Sequence, residues 1–163
     1  MSLESEQPTE LGWRWFAGVR VVVHVDAAQS DGRLGVWESI EPQGTALPLH
    51  VHHREDEQAV VLEGNLTFWV GDHVHHLGPG DTIALPRGVP HAHVITSPRA
   101  RILTVATPGG FERLFTDLGT PVTSQTPPAG PPDFAAHTDA VANLGVERIG
   151  PPPSRAQAPP QAA

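Results

Sequence analysis

Within the segment Gly44–Gly64, GTALPLHVHHREDEQAVVLEG, two histidines stand one residue apart, a spacing that sharply constrains the local backbone. In an extended strand successive side chains alternate faces, so His50 and His52 project together and can grip one ion. In a helix the same pair would point in nearly opposite directions and could not chelate. Pro48, just upstream, also disfavours a helix. The chain then turns through Arg54–Asp56, and Glu57 opens the next strand with a carboxylate. A second segment, Gly80–Ile95 (GDTIALPRGVPHAHVI), has a turn at Pro86 and Gly88 that feeds His91 onto another strand. Three imidazoles and one carboxylate suit a single divalent ion of iron, manganese, nickel, cobalt or zinc. They leave coordination positions open for a substrate or O2. A closed structural zinc site would draw on cysteine, and the chain has none.

The extended pattern continues on both sides of these segments. From Trp13 to about Thr107, short apolar runs alternate with turn formers, and strands are expected near 19–25, 34–40, 47–53, 57–63, 65–70, 73–77, 81–85, 91–96 and 101–107. Ser30-Asp31-Gly32, Glu63-Gly64-Asn65, Gly71-Asp72 and Gly78-Pro79-Gly80-Asp81 punctuate them. Many short strands with tight turns predict an all-β sandwich or barrel. The 163 residues fit one core of ordinary size, and 18 prolines and 16 glycines argue against a helical body. Beyond Pro108 the character changes. Phe111, Leu114, Phe115 and Leu118 form the apolar stripe of a short helix over Gly110–Leu118. The expected organisation is a disordered lead over 1–10 and a barrel with its flanking helix over 11–118. A Pro-rich linker over 119–132 leads to a helical segment over 133–150, capped by Asp133 and ended near Leu144 by Gly145. A disordered tail over 151–163 completes the chain.

Absences narrow the chemistry further. Without cysteine there is no disulfide, thiolate ligand or thiol nucleophile; without lysine, no Schiff base; without tyrosine, no phenolic acid. A formal charge of −8 with no basic cluster speaks against nucleic acid and anionic membrane as partners. No apolar run approaches the roughly 20 residues that cross a bilayer. The polar, acidic N-terminus lacks a secretory core, so a cytoplasmic protein is expected.

The two segments carry a resemblance to a known family. The first matches G-x5-H-x-H-x4-E-x6-G at Gly44, His50, His52, Glu57 and Gly64. The second matches G-x5-P-x-G-x2-H at Gly80, Pro86, Gly88 and His91, with 15 residues between them. These are the two motifs of the cupins. Together with WRWFAG at Trp13–Gly18, PGGFE at Pro108–Glu112 and LGVERIGPP at Leu144–Pro152, they resemble single-domain, quercetin dioxygenase-like cupins. The resemblance implies a double-stranded β-helix, or jelly-roll barrel, with short C-terminal helices, commonly assembled as a homodimer. It implies a metal on His50, His52, Glu57 and His91, and its spacing selects Glu57 over the neighbouring Glu55 and Asp56. A flavonol or other aromatic or enolic substrate would bind the metal through a deprotonated oxygen. Glu57 would take that proton, and O2 would cleave the ring. One departure is Ile95, where the second motif often ends in asparagine.

The same ligand set could serve a non-oxidative enzyme (a polyketide cyclase, isomerase or lyase) or a small-molecule-binding module without catalysis. Expected neighbours of the metal in the substrate pocket are His93, which shares the parity of His91, with Ala59, Val61, Phe68 and Ile95. His93 could equally be a second-layer residue, an extra ligand or a hydrogen-bonded core histidine. His53 has the outward parity, His24 is placed near the barrel mouth, and His73, His75 and His76 are expected on an exposed hairpin. Trp13, Trp15 and Trp37 read as packing or dimer contacts.

Overall fold

The computed structural model describes residues 12–124, 126, 134 and 137–153. The expected lead over 1–10, the Asp133 cap, much of the expected linker and the tail from residue 154 lie outside the described residues. The chain runs β1 (Arg14–Phe16), β2 (Val19–Val25), β3 (Gly35–Pro42), β4 (Leu49–His52), β5 (Asp56–Glu63), β6 (Leu66–Val70), β7 (His73–Leu77), β8 (Thr82–Leu85), β9 (His91–Ile95) and β10 (Arg99–Thr107). It continues with α1 (Arg113–Leu118), β11 (Thr120–Pro121), α2 (Thr138–Asn143) and β12 (Val146–Gly150). Two sheets result, in the orders β11-β1-β2-β3-β10-β5-β8 and β12-β4-β9-β6-β7. Every pairing is antiparallel, and from β3 to β10 the chain crosses repeatedly from one sheet to the other, so the fold is a jelly-roll barrel, the double-stranded β-helix.

Alternation explains which face of each strand turns inward. In β10, Ala100, Ile102, Thr104 and Ala106 are buried while the residues between them are less so; in β5 the buried set is Glu57, Ala59 and Val61. These faces and their counterparts form two apolar clusters. One, around Phe16, Trp37, Phe111 and Phe115, closes the end near the helices; the other, around Val61, Leu66, Ile95 and Ile102, fills the opposite end. The polar space that concerns function lies between them.

Four local features differ from the sequence reading. The apolar stripe after Pro108 buries Phe111, Leu114 and Phe115, but the helix begins at Arg113 and leaves Leu118 45% exposed. Part of the expected linker, Thr120–Pro121, pairs with β1. In the segment expected to be helical over 133–150, a helix spans Thr138–Asn143, Gly145 has φ 84°, and residues 146–150 form a strand along β4. His24 is not at the mouth of the interior. It is the extra residue where the β2–β3 register shifts between Val23 and Val25, and it sits exposed, 3.3 Å from Glu38.

Candidate metal centre

His50 and His91 face each other directly across the β4–β9 pair, because the register places them opposite. His52 follows two residues later on the same face of β4, and Glu57 enters from the other sheet on β5. The turn that carries His91 is held from both sides. The Gly88 amide donates to the His52 carbonyl at 2.8 Å, and the Arg87 guanidinium forks onto Asp56 at 2.7 and 3.1 Å. Asp56 is thus committed to the exposed Arg87, which holds its carboxyl below the usual value.

Each histidine is oriented by an acceptor behind it. His50 Nδ1 lies 2.8 Å from the Pro48 carbonyl, His91 Nδ1 3.1 Å from the Val89 carbonyl, and His52 Nδ1 3.2 Å from Glu55 Oε2. Two of these partners accept only, and Glu55 does so when ionised, so in each neutral imidazole Nδ1 carries the proton and Nε2 keeps its lone pair. The three imidazoles present ligand atoms within 4.8 Å of one another. Glu57 Oε2 stands 3.6 Å from His52 Nε2 and 3.4 Å from His91 Nε2. His91 Nε2 is buried with no hydrogen-bond partner, an arrangement that costs roughly 1–3 kcal/mol unless something accepts its lone pair. A divalent cation fits that requirement, and the donor set suits it.

The charges are tuned by burial and by one another. Burial, with His91 and His52 alongside, pushes His50 down to about 3, so it is neutral at neutral pH. Burial would lower His52 too, but Glu57 and Glu55 outweigh it and raise it above the ordinary histidine value. Burial would raise the Glu57 carboxyl; the histidines, His52 foremost, bring it below the ordinary range instead.

The trio opens onto a cavity between the sheets, and the space between its walls, counted out to the open mouth, is about 1050 Å³. Ala59, Phe68 and His93 line it; Val61 and Ile95 do not, being packed in the far apolar cluster with Leu66 and Ala100. His93 is a hydrogen-bonded interior residue: its Nε2 lies 2.8 Å from Glu41 Oε2, its ring lies 4.9 Å from that of Phe68, and Ser39 donates to Glu41 at 2.8 Å. Burial would raise Glu41, but His93 and Ser39 together lower it. The sequence reading did not single out Ser39 and Glu41, although both share the parity of the buried Trp37 on β3. It also missed the roof, where Phe134, His137, Val141, Val146 and Arg148 line the cavity. His53 points outward to Glu147 at 2.9 Å, and β7 leaves His73, His75 and His76 exposed.

The two sheets form a jelly roll with a histidine trio beside its interior cavity. Residues 36–106, somewhat under half of the chain, match the family model described as "Cupin domain". Over 79 residues the chain is 33% identical to a quercetin 2,3-dioxygenase of Bacillus subtilis, covering 48% of this chain and 23% of that protein. Over 77 residues it is 31% identical to the HTH-type transcriptional regulator PuuR of Escherichia coli, covering 47% of this chain and 41% of that one. The chain thus spans under half the length of either relative. The solved structure of KdgF from Halomonas sp. superposes with a TM-score of 0.59 at 18% identity, covering 66% of this chain and 94% of that one, a likeness of fold. No helix among the described residues is long and apolar enough to cross a membrane.

Proposed function

We propose that this chain is a metal-dependent cupin enzyme, a dioxygenase acting on an aromatic or enolic small molecule. In this reading His50, His52, His91 and Glu57 hold one divalent ion. The observation that carries it is the convergence of three Nε2 lone pairs whose opposite nitrogens are each tied to an acceptor. A bound divalent ion supplies Lewis acidity and, for iron, manganese, nickel or cobalt, the means to bring O2 and substrate into reaction. The protein's part is to position and to move a proton. Glu57 is ionised at neutral pH, lies beside two of the imidazoles and can take the proton of an enolic hydroxyl at Oε2. The apolar walls exclude water around the reacting group. The local similarity to a quercetin 2,3-dioxygenase supports an oxidative reaction.

Two measurements test this. His50→Ala and His91→Ala are expected to lose bound metal by elemental analysis relative to wild type, and full retention would overturn the ligand assignment. Metal-reconstituted protein is expected to consume O2 with at least one member of a flavonol panel. If it consumes none with iron, manganese, nickel or cobalt, the same ligands serve a non-oxidative reaction or binding alone.

A further inference from the structure

Arg148 is a charged group of this cavity that the metal reading leaves without a use. It lies on β12 directly opposite His50 of β4, so the two side chains rise from one face of the sheet. It lines the cavity, is exposed at the mouth, and is the one arginine among the lining residues of a chain without lysine.

Six arginines outside the cavity are engaged. Arg33, Arg87, Arg99, Arg101 and Arg113 pair with Asp31, Asp56, Glu63, Glu38 and Asp117, and Arg14 donates to the Gly119 carbonyl. Arg148 has no hydrogen bond or ion pair among the described residues. Its neighbour Glu147 could have neutralised it, but alternation puts Glu147 on the other face, where His53 engages it at 2.9 Å. An always-charged planar fork is therefore left open beside an apolar chamber.

We infer that Arg148 recognises an anion and that, among aromatic or enolic small molecules, the cavity prefers those that carry one carboxylate. The carboxylate lies on the Arg148 guanidinium, and the apolar body packs against Phe134, Val141 and Val146. In so far as this deepens the proposed enzyme function, it rests on that reading, with the rest of the substrate directed toward the histidine trio. A monoanion matches the site better than a phosphate. One guanidinium supplies the fixed positive charge, while the interior already holds the carboxylates of Glu41 and Glu57. A second negative charge would be left unmatched.

The test compares cinnamate with cinnamamide, an uncharged analogue of nearly the same shape, by calorimetric titration of wild type, Arg148→Gln and Arg148→Lys. Each is measured free of metal and again with zinc. On the metal-free protein, where no ion can attract the carboxylate, wild type is expected to prefer cinnamate by about tenfold. Arg148→Gln should bind both probes within about twofold of each other. Arg148→Lys should keep part of the preference, since it retains charge but not the fork. Equal binding of both probes by wild type overturns the inference. So does a preference that survives in Arg148→Gln, or no cinnamate binding at millimolar concentration. Zinc content is measured separately. A chain that takes up no zinc yet discriminates through Arg148 loses the metal reading and keeps this one.

Discussion

A hydrogen bond on the far side of each imidazole decides which nitrogen faces the centre, and for His52 that bond comes from Glu55. Glu55 is 3% exposed and its carboxylate lies 3.2 Å from Nδ1, the arrangement in which an outer carboxylate fixes the tautomer and raises the basicity of a metal-binding imidazole. Glu55 and Glu57 were rivals for one role in the sequence. The structure separates their positions, placing Glu57 beside two Nε2 atoms and Glu55 behind His52. Alternation could not have shown this. Glu55 lies in a turn, where the parity of a strand does not apply, and motif spacing, with the place of Glu57 at the start of an apolar strand, separated the two. Glu55→Ala should weaken zinc affinity by about 10–100-fold in competition with a chromophoric chelator. Glu55→Gln, which can still accept from Nδ1, should lose less. Equal losses in the two variants would point to a packing role.

Strands with regular alternation were readable within a residue or two, as β5 and β10 show, because burial on one face imposes a period of two. Those that escaped are short or lie at an edge. β1 has 3 residues, and β12, at the end of its sheet, buries only Val146, so neither carries a period to read. Missing β12 also hid Arg148. The motif glycines, by contrast, correspond to backbone requirements. Gly64 sits at φ 82° between β5 and β6, and a Cβ there would fall onto the Arg99 carbonyl oxygen and lie 2.8 Å from Ala100 Cα. Those are atoms of the β10 backbone and cannot swing aside. Gly64→Ala should destabilise the fold by about 2 kcal/mol or more through positive-φ strain and this clash. In a domain of this size that lowers Tm by roughly 4–8 °C. An unchanged melting temperature would show that the β5–β6 turn can move away from β10.

At the scale of the whole molecule, the centre joins the two sheets: His50, His52 and His91 come from one, Glu57 from the other. A bound ion would therefore bridge them, and stability, metal and protons become linked. The signs follow from the shifts. His50 falls from 6.5 to about 3, so without metal the unfolded chain takes up a proton that the folded one refuses, and stability declines as pH drops through that window. Glu57 and Glu41 are lowered from 4.5, so what they contribute is present above 4.5 and lost as pH falls through their depressed folded values. His52 has the opposite sign: its folded value is raised above 6.5, and its contribution is full below 6.5 and lost as pH rises through the raised value. Protonated His52 is also the main competitor of a metal ion, since His50 is already neutral. The melting temperature of metal-free protein should thus fall as pH is lowered from 6.5 past 4.5. The extra stability conferred by zinc, about 2.7 kcal/mol at a hundredfold excess over Kd, should grow as pH rises through the folded value of His52. Thermal melts across pH with and without zinc read both limbs. A zinc-induced shift that does not change with pH would mean that no proton leaves His52 when the ion binds, and would remove His52 from the ligand set.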